Sequence, residues 1–351
     1  MITDAKGNLL EVDAEALVNT VNTVGVMGKG IALQFKQAFP ANYEAFRKAC
    51  ARNEVVPGKM FVFETGQLTN PRLIINFPTK RHWRQPSRLE DIEAGLEDLV
   101  RVLRHHRVKS VAVPPLGCGS GGLKWSAVRP LIVEALDTLP DVRVLLFAPD
   151  GAPAADAMPV KTKRPTMNPN RASLLLAMAS YALPGYRLTM LEIQKLAYLL
   201  QEFGQPLRLE FVKGQYGPYA ENLHKVLQRI EGHFIRGYGD RSRDASVRVL
   251  PDAAAEAEAT VTPDPEASAR LTRLREVIDG FESPYGMELL ATAHWVAKHD
   301  PAAAQSARST IADVQAWSPQ KRRKFRPEHI ELAWGRLHDQ RLLTPSEHAA
   351  E

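Results

Sequence analysis

The stretch NTVNTVGVMGKGIALQF, residues 19–35, decides how the first half of this 351-residue chain folds. Two asparagines three residues apart end an apolar run, and Gly25, Gly28 and Gly30 then fall within six residues. Glycine loses more conformational freedom than other residues when it is ordered, so such a cluster indicates backbone at positive φ or close to a ligand. An apolar helical pattern follows at once, and a glycine loop that opens a helix favours an anion, most often a phosphate.

A second glycine loop, LGCGSGGL at residues 116–123, also lies between a predicted strand and a predicted helix. The predicted strands are 9–12, 16–19, 60–63, 73–77, 110–113 and 142–147, and the predicted helices are 30–39, 43–49, 89–103 and 125–139. Strands that alternate with helices predict an α/β domain with a mixed or largely parallel sheet. Ser87 and Glu90 are predicted to form a capping box at the start of the third helix.

The composition changes at residues 153–169 to Ala, Pro, Thr and Lys without periodicity, which predicts a linker between a first domain, 1–152, and a second, 170–351. The second domain is predicted to be mainly helical. Within it, residues 251–268 contain five acidic residues, three prolines and no basic residue, which predicts a disordered loop. The run KRRKFR at 321–326 fits either a DNA contact or a solvated helix face.

Composition narrows the functional class. No apolar run approaches the ~20 residues of a membrane helix, and the first residues lack the features of a signal peptide. Two cysteines cannot build a disulfide framework, so we expect a cytoplasmic protein without a membrane partner. The net charge of +5 argues only weakly for nucleic acid. Neither a nucleoside-triphosphatase loop nor a metal-ligand spacing occurs, and we expect no metal and no cofactor.

Three loops are expected to meet at one edge of the sheet, because the carboxyl ends of parallel strands lie together. They are the two glycine loops and PTKRHWR, residues 78–84. Two anion-binding loops and a cationic third predict a crevice for a diphosphate between two ribose-like groups. Lys80 fits either a solvated loop lysine or a reactive one whose pKa is lowered by like-charge repulsion from Arg81 and Arg84.

Other candidates in these loops have two interpretations each. Asn19 and Asn22 fit either helix-entry caps or amides that face a sugar hydroxyl. Cys118 in the second loop fits an activated thiolate, although no histidine at a recognisable spacing supports a nucleophile. His82 and Trp83 fit either a base-stacking surface or a cover over the core.

The residues GNLLEVDAEALVNTVNTVGVMGKGIALQF (7–35) and VAVPPLGCGSGGLKW (111–125) resemble the macrodomain family, whose fold binds ADP-ribose. With INFPTKRHW (75–83) added, the chain is most similar to the DNA ADP-ribosyl glycohydrolases, the antitoxins of the DarT/DarG toxin–antitoxin systems. Three segments of the second half are similar to the same family: LEIQKLAYLLQE (191–202), GQYGPYAENLHKVLQRIEG (214–232) and GFESPYGMELLATAHWVA (280–297). The resemblance implies a macrodomain with a mixed sheet sandwiched by helices, followed by a mainly helical toxin-binding domain.

The resemblance also implies site residues. Lys80 would be catalytic, and His82, Trp83 and Arg84 would contact the DNA base. The implied ADP-ribose site comprises Asn8, Leu9, Asn19, Thr20, Val21, Asn22, Gly28, Lys29, Gly30, Ile31, Thr79, Gly117, Cys118, Gly119, Ser120, Gly121 and Gly122.

Two departures from the family pattern matter. Gly7-Asn8 stands where many macrodomains have Gly-Asp to hold the adenine amine, so selectivity for adenine is weaker or is made differently. A small residue stands near Gly121 where a related glycohydrolase has an acidic one, so a mechanism that pairs a lysine with a carboxylate cannot be assumed.

The implied function is hydrolysis of the bond between ADP-ribose and thymidine in single-stranded DNA, which repairs the toxin's modification. Two alternatives stay open: hydrolysis of ADP-ribose esters on protein Asp or Glu residues, and binding of ADP-ribose without hydrolysis. The implied partners are ADP-ribosylated single-stranded DNA and the cognate DarT toxin, an ADP-ribosyltransferase. The composition of GQYGPYAENLH, residues 214–224, is more typical of a recognition surface than of a buried core.

Overall fold

The computed structural model describes residues 1–149, 158–182, 186–238 and 246–343. Contacts between residues divide the chain into two units, 1–163 and 164–351. Within the described helices, none is long and apolar enough to cross a membrane.

The first unit contains a six-stranded sheet. Its strands are β1 (Ile2–Ala5), β2 (Ala16–Asn22), β3 (Phe61–Glu64), β4 (Leu73–Lys80), β5 (Ser110–Val113) and β6 (Arg143–Phe147). Their order is β1-β6-β5-β2-β4-β3. All neighbours are parallel except β3 and β4, which are antiparallel, so the sheet is mixed as predicted. The carboxyl ends of β2, β4 and β5 therefore lie at one edge.

Helices cover both faces of the sheet. They are α1 (Gly30–Ala38), α2 (Pro40–Ala51), α3 (Leu89–His105) and α4 (Trp125–Asp137). Side chains alternate along a strand, so Ala16 and Val18 of β2 belong to the same buried cluster as Leu96 and Ile132 of α3 and α4. Leu17 faces the other way and belongs to a cluster that includes α1 residues. This architecture confirms the predicted macrodomain fold class.

Two local predictions in the first unit were wrong. The predicted strand at 9–12 is a short 3₁₀ helix, Leu9–Glu11, whose first turn is capped by the Asn8 side chain. The predicted capping box is absent, because α3 begins at Leu89 with Arg88 as its N-cap. The Ser87 amide instead donates to the Gly121 carbonyl at 2.9 Å, and its hydroxyl is buried without a partner within the described residues.

Part of the predicted linker is held against the first unit. Residues 150–157 lie outside the described residues. Met158 is buried in the cluster on the α1 face, and the Lys161 amide donates to the Gln37 carbonyl at 2.8 Å. Pro169 is already the first residue of a helix. The described portion, 158–168, therefore follows the surface of a folded unit at its start.

The second unit is mainly helical within its described residues. The helices are α5 (Pro169–Tyr181), α6 (Met190–Glu202), α7 (Leu223–Ile230), α8 (Pro251–Val261), α9 (Pro265–Ile278), α10 (Pro284–His299), α11 (Pro301–Gln305), α12 (Ala307–Ala316), α13 (Pro319–Lys324) and α14 (Pro327–Asp339). Two short antiparallel strand pairs accompany them: β7 (Phe211–Gly214) with β8 (Gly217–Ala220), and β9 (Ile235–Arg236) with β10 (Arg248–Val249). Many helices begin with proline, which has no amide to leave unbonded at the first turn.

The predicted disordered loop at 251–268 was wrong, because α8 and the first turn of α9 occupy it. Ala253, Ala257 and Val261 are four residues apart and form one buried stripe, and α8 packs against α5. Alanine is the best helix former, so this segment needs only a narrow apolar face to fold. The two helices start at prolines, which in the sequence had indicated a loop.

Both interpretations of the KRRKFR run were wrong for its first residue. Lys321 is 1% exposed, and its ammonium donates to Glu288 at 2.8 Å and to the Thr292 hydroxyl at 3.1 Å. Phe325 in the same run is also buried. In the hairpin sequence GQYGPY, Gly217 and Pro218 are buried, Gln215 is exposed and the other three residues are half-buried. The Pro218 carbonyl accepts from the buried Lys195 side chain at 2.7 Å.

Candidate active site

Three loops meet at the carboxyl edge of the sheet. The Thr23 amide, which follows β2, donates to the Lys80 carbonyl at the end of β4 at 3.0 Å. The Thr23 hydroxyl donates to the Arg81 carbonyl at 2.6 Å. The ammonium of Lys80 donates to the carbonyl of Ser120 in the second glycine loop. The predicted convergence of the loops is therefore present. Thr23, which was not among the predicted site residues, joins two of them.

Lys80 is half-buried where the loops meet. Its pKa is lowered, first because burial disfavours the charged ammonium and second because of the positive charge of Lys29. The predicted direction of this shift is the one found, but its predicted source was wrong. Arg81 is neutralised by Asp91, with an N–O distance of 2.9 Å. Arg84 lies over the Trp83 ring, 4.4 Å from its centroid.

The first glycine loop is held by the side chain of Asn22. Its amide oxygen accepts from the backbone amides of Val24 at 3.1 Å and Val26 at 3.2 Å, and its amide nitrogen donates to the Val26 carbonyl at 2.6 Å. Helix α1 then begins at Gly30, which has a φ of +56°. Neither an acidic residue nor a side-chain cap occupies the first turn of α1. Its positive end is therefore available to an anion.

The second glycine loop is compact at Gly121. A side chain there would place its Cβ atom 2.2 Å from the Gly117 carbonyl oxygen and 2.3 Å from the Ser87 hydroxyl. The absence of a side chain at this position is thus enforced by packing. Within the loop, the amides of Cys118, Gly122 and Leu123 donate to loop carbonyls. Those of Gly119, Ser120 and Gly121 have no acceptor in the part of the chain that the structure describes.

Some predicted ADP-ribose contacts are not accessible. Asn19 is fully buried, and its amide nitrogen donates to Asn76 at 2.9 Å, so it joins strands rather than facing the crevice. Leu9, Val21 and Thr79 are buried as well. The accessible predicted residues are Asn8, Thr20, Gly28, Lys29, Gly30, Ile31, Cys118, Gly119, Ser120 and Gly122, while Asn22, Gly117 and Gly121 are buried within the two loops.

His82, Trp83 and Arg84 form a stack beside Lys80. The ring centroids of His82 and Trp83 are 5.3 Å apart at an angle of 29°, and the Arg84 guanidinium lies over the Trp83 ring. The Arg84 amide also donates to the His82 ring at 3.2 Å. The rings are half-buried, so they do not act as core residues. A surface of aromatic and guanidinium planes next to a lysine of lowered pKa is suited to stacking on a base.

Cys118 does not have the properties of a nucleophile. Burial raises the pKa of its thiol, which favours the uncharged form, and the thiol donates to the Leu116 carbonyl at 3.4 Å. Among the residues that the structure describes, no three or more His, Cys, Asp or Glu side chains are grouped so that they could hold a metal ion. The pKa shift of the Cys118 thiol thus disfavours its nucleophilic form, whereas that of Lys80 favours the uncharged amine.

Known proteins similar to this chain include macrodomains and DNA ADP-ribosyl glycohydrolases. The Macro domain family matches residues 18–132. A DNA ADP-ribosyl glycohydrolase of Thermus aquaticus is 49% identical over 348 residues, which cover 99% of this chain and 96% of that protein. A Thermosipho africanus fusion of a DNA ADP-ribosyl transferase with a DNA ADP-ribosyl glycohydrolase is 38% identical over 41% of each chain. The solved macrodomain of Mycobacterium tuberculosis DarG is 59% identical, covering 43% of this chain and 99% of that one with a TM-score of 0.42.

Proposed function

The chain belongs to the DNA ADP-ribosyl glycohydrolase family, and we propose that it hydrolyses the N-glycosidic bond between ADP-ribose and thymidine in single-stranded DNA. Family membership rests on the Thermus relative, which matches nearly the whole length of both chains. The observation that carries the proposed chemistry is the position of Lys80. Its amine lies where two glycine loops meet, and its pKa is lowered.

The diphosphate of ADP-ribose would lie between the two glycine loops. The open positive end of α1 faces this edge, and the amides of Gly119, Ser120 and Gly121 are available in the second loop. Backbone amides and a helix N-terminus are the usual ligands of a phosphate group. With the diphosphate fixed between them, the distal ribose would be held near Lys80.

A lysine can cleave this bond in two steps. The uncharged Lys80 amine attacks C1″ of the ribose, the bond to the thymine nitrogen breaks, and the thymine takes up a proton. The sugar then opens to a Schiff base with Lys80, and water hydrolyses the Schiff base to release ADP-ribose and the free amine. The first step requires an uncharged amine, which the lowered pKa of Lys80 favours. The His82–Trp83–Arg84 stack would hold the thymine or a neighbouring base.

Reductive trapping tests the covalent role. Incubation of the wild-type protein with substrate and borohydride would reduce the Schiff base and leave ADP-ribose attached to Lys80, detectable by peptide mass spectrometry. The alternative role is electrostatic, with a charged Lys80 stabilising the departing group. Absence of any adduct during active turnover would establish that alternative.

A comparison of two substrates tests which bond the protein hydrolyses. We expect release of ADP-ribose from a single-stranded oligonucleotide that carries ADP-ribosylated thymidine, and little release from a protein that carries ADP-ribosyl glutamate. The reverse preference would identify a protein-directed hydrolase. Binding of ADP-ribose with release from neither substrate would identify a binding module.

The proposed protein partner is a DNA ADP-ribosyltransferase toxin, the cognate DarT. The Thermosipho relative joins a transferase and a glycohydrolase in one chain, which supports a functional pairing of the two activities. We assign toxin binding to the second unit and place the protein in the cytoplasm, where its two unpaired cysteines would stay reduced. Inhibition of the purified toxin by the full-length Lys80→Ala variant tests this role, since that variant would retain binding without removing the toxin's product.

A further inference from the structure

The segment between Lys80 and α3, residues 81–88, carries a cationic surface that ADP-ribose binding does not use. It is fixed at both ends: the Arg81 carbonyl accepts from the Thr23 hydroxyl at 2.6 Å, and the Ser87 amide donates to the Gly121 carbonyl at 2.9 Å. A further hydrogen bond from the Gln85 amide to the His82 carbonyl at 3.0 Å closes a turn. The backbone of this segment is therefore held in place before any substrate arrives.

Only some of the arginines along the segment form ion pairs with carboxylates. Arg81 is paired with Asp91 and carries no net charge to a ligand. Arg84 and Arg88 are both exposed, and neither forms an ion pair with a carboxylate in the described ranges. The two charges of the ADP-ribose diphosphate would be received by the two glycine loops, the first of which carries Lys29, while Lys80 is uncharged in the proposed reaction. Arg84 and Arg88 remain as two positive charges for which ADP-ribose alone has no further anion.

Arg88 also borders an open cleft of about 560 Å³, lined in addition by Arg81, Leu89, Glu90 and Asp91. The cleft is large enough for part of a nucleotide, and it begins one residue beyond Lys80 in sequence. Asp91 is neutralised by Arg81, whereas Glu90 is exposed and would repel a phosphate. A phosphate at this cleft would therefore lie on the side of Arg88.

We propose that Arg84 and Arg88 form a binding site for two backbone phosphates of the DNA strand that carries the modified thymidine. This site rests on the proposed function and adds the part of the substrate outside ADP-ribose. Guanidinium groups bind phosphate oxygens in a bidentate way, and the adjacent Trp83 ring lets a base stack beside them. The enzyme then reads a strand of at least three nucleotides and is not limited to the modified nucleoside.

Salt dependence tests the proposal with two substrates, ADP-ribosyl thymidine as a nucleoside and a single-stranded oligonucleotide with one such thymidine. Each phosphate contact to a single strand contributes a slope of about −0.7 in a plot of log affinity against log salt. Two contacts predict an extra slope of about −1.4 in kcat/KM for the oligonucleotide, or about a sevenfold greater loss over a fourfold rise in salt. Arg84→Gln and Arg88→Gln should each remove about half of that excess, and the double variant should remove all of it.

Matched controls separate this effect from a general loss of charge. Arg107→Gln removes an exposed arginine at the opposite edge of the sheet, before β5, and should keep the wild-type slope. Glu90→Gln removes the repelling carboxylate and should lower the KM for the oligonucleotide. Arg88→Gln, Glu90→Gln and Arg107→Gln should hydrolyse the nucleoside at the wild-type rate, whereas Arg84→Gln is judged by its salt slope relative to its own nucleoside reaction, because Arg84 also belongs to the base stack.

The proposal is overturned if wild type shows equal slopes for both substrates, or if the double variant keeps the wild-type excess. Binding of the unmodified oligonucleotide, measured by fluorescence anisotropy over the same salt range, gives a readout that does not depend on hydrolysis. A chain that binds the strand with the expected slope but hydrolyses neither substrate would refute the proposed function and leave the phosphate site standing.

Discussion

Substitution of Gly121 by alanine is the sharpest test of the second glycine loop. The new Cβ would lie 2.2 Å from the Gly117 carbonyl oxygen and 2.3 Å from the Ser87 hydroxyl, so the loop must move by about 1 Å to restore normal contact. Ser87 cannot withdraw easily, because it is buried and its amide is bonded to the Gly121 carbonyl. The displacement would carry with it the adjacent Ser120 carbonyl, which accepts from the Lys80 ammonium.

The expected effect is large for so small a change. A misplacement of about 1 Å can cost about a hundredfold in rate, and overpacking costs about 1–3 kcal/mol of stability. Gly119→Ala is the matched control, since a Cβ there meets no atom within 4 Å. Calorimetric titration with ADP-ribose and single-turnover hydrolysis should both be strongly impaired in Gly121→Ala and close to wild type in Gly119→Ala. Equal ADP-ribose affinity in the two variants would refute the proposed role of this loop.

Three further outcomes are expected. Lys29→Gln removes the like charge near Lys80, so the pKa of Lys80 should rise and the ascending limb of the pH–kcat/KM profile should move to higher pH; an unmoved limb would contradict this coupling. Burial lowers the pKa of Lys195 to about 7, so unfolding takes up a proton above that pH and stability should rise between about pH 7 and 10. Lys195→Met should flatten that rise in denaturant titrations, and an unchanged pH dependence would contradict the lowered pKa of Lys195. Thr189→Ala breaks the capping box with Glu192 at the start of α6 and should cost about 1 kcal/mol, measured by the same titrations; an unchanged midpoint would show that Glu192 alone holds the helix start.

The fold of the first unit followed from local patterns. Continuous apolar runs such as 73–77, bounded by glycine and proline, indicated buried strands, and the two glycine loops after β2 and β5 indicated where strands end. Because parallel strands place their carboxyl ends together, the convergence on Lys80 could also be derived. The family resemblance supplied the choice of substrate, which no local pattern carries.

Other features depend on tertiary contacts that a sequence does not display. Asn19 was expected at the ligand, yet its side chain bridges to Asn76 on the next strand, a pairing that depends on register. Lys321 was expected at the surface, yet Glu288, thirty-three residues away, neutralises it inside the core. Ser87 satisfied the spacing of a capping box, but its amide was recruited by Gly121. In each case the deciding partner lies far along the chain.

The pKa of Lys80 also depends on tertiary contacts that the sequence does not display. Sequence neighbours suggested that Arg81 and Arg84 would supply the repulsion, but Asp91 and Trp83 engage them. The effective charge is that of Lys29, which is distant in sequence and close only after the loops converge. The direction of the pKa shift was predicted correctly, but its two causes, burial and the charge of Lys29, required the fold.

We propose that Lys80 performs hydrolysis at a site built by three loops. The most direct measurement compares wild type with Lys80→Ala on one single-stranded oligonucleotide carrying ADP-ribosylated thymidine, with ADP-ribose affinity measured in parallel. We expect rapid release of ADP-ribose by wild type, and a loss of at least about a thousandfold in the variant with its ADP-ribose affinity retained within about tenfold. Release by Lys80→Ala at a rate near that of wild type would contradict the assignment of the catalytic residue.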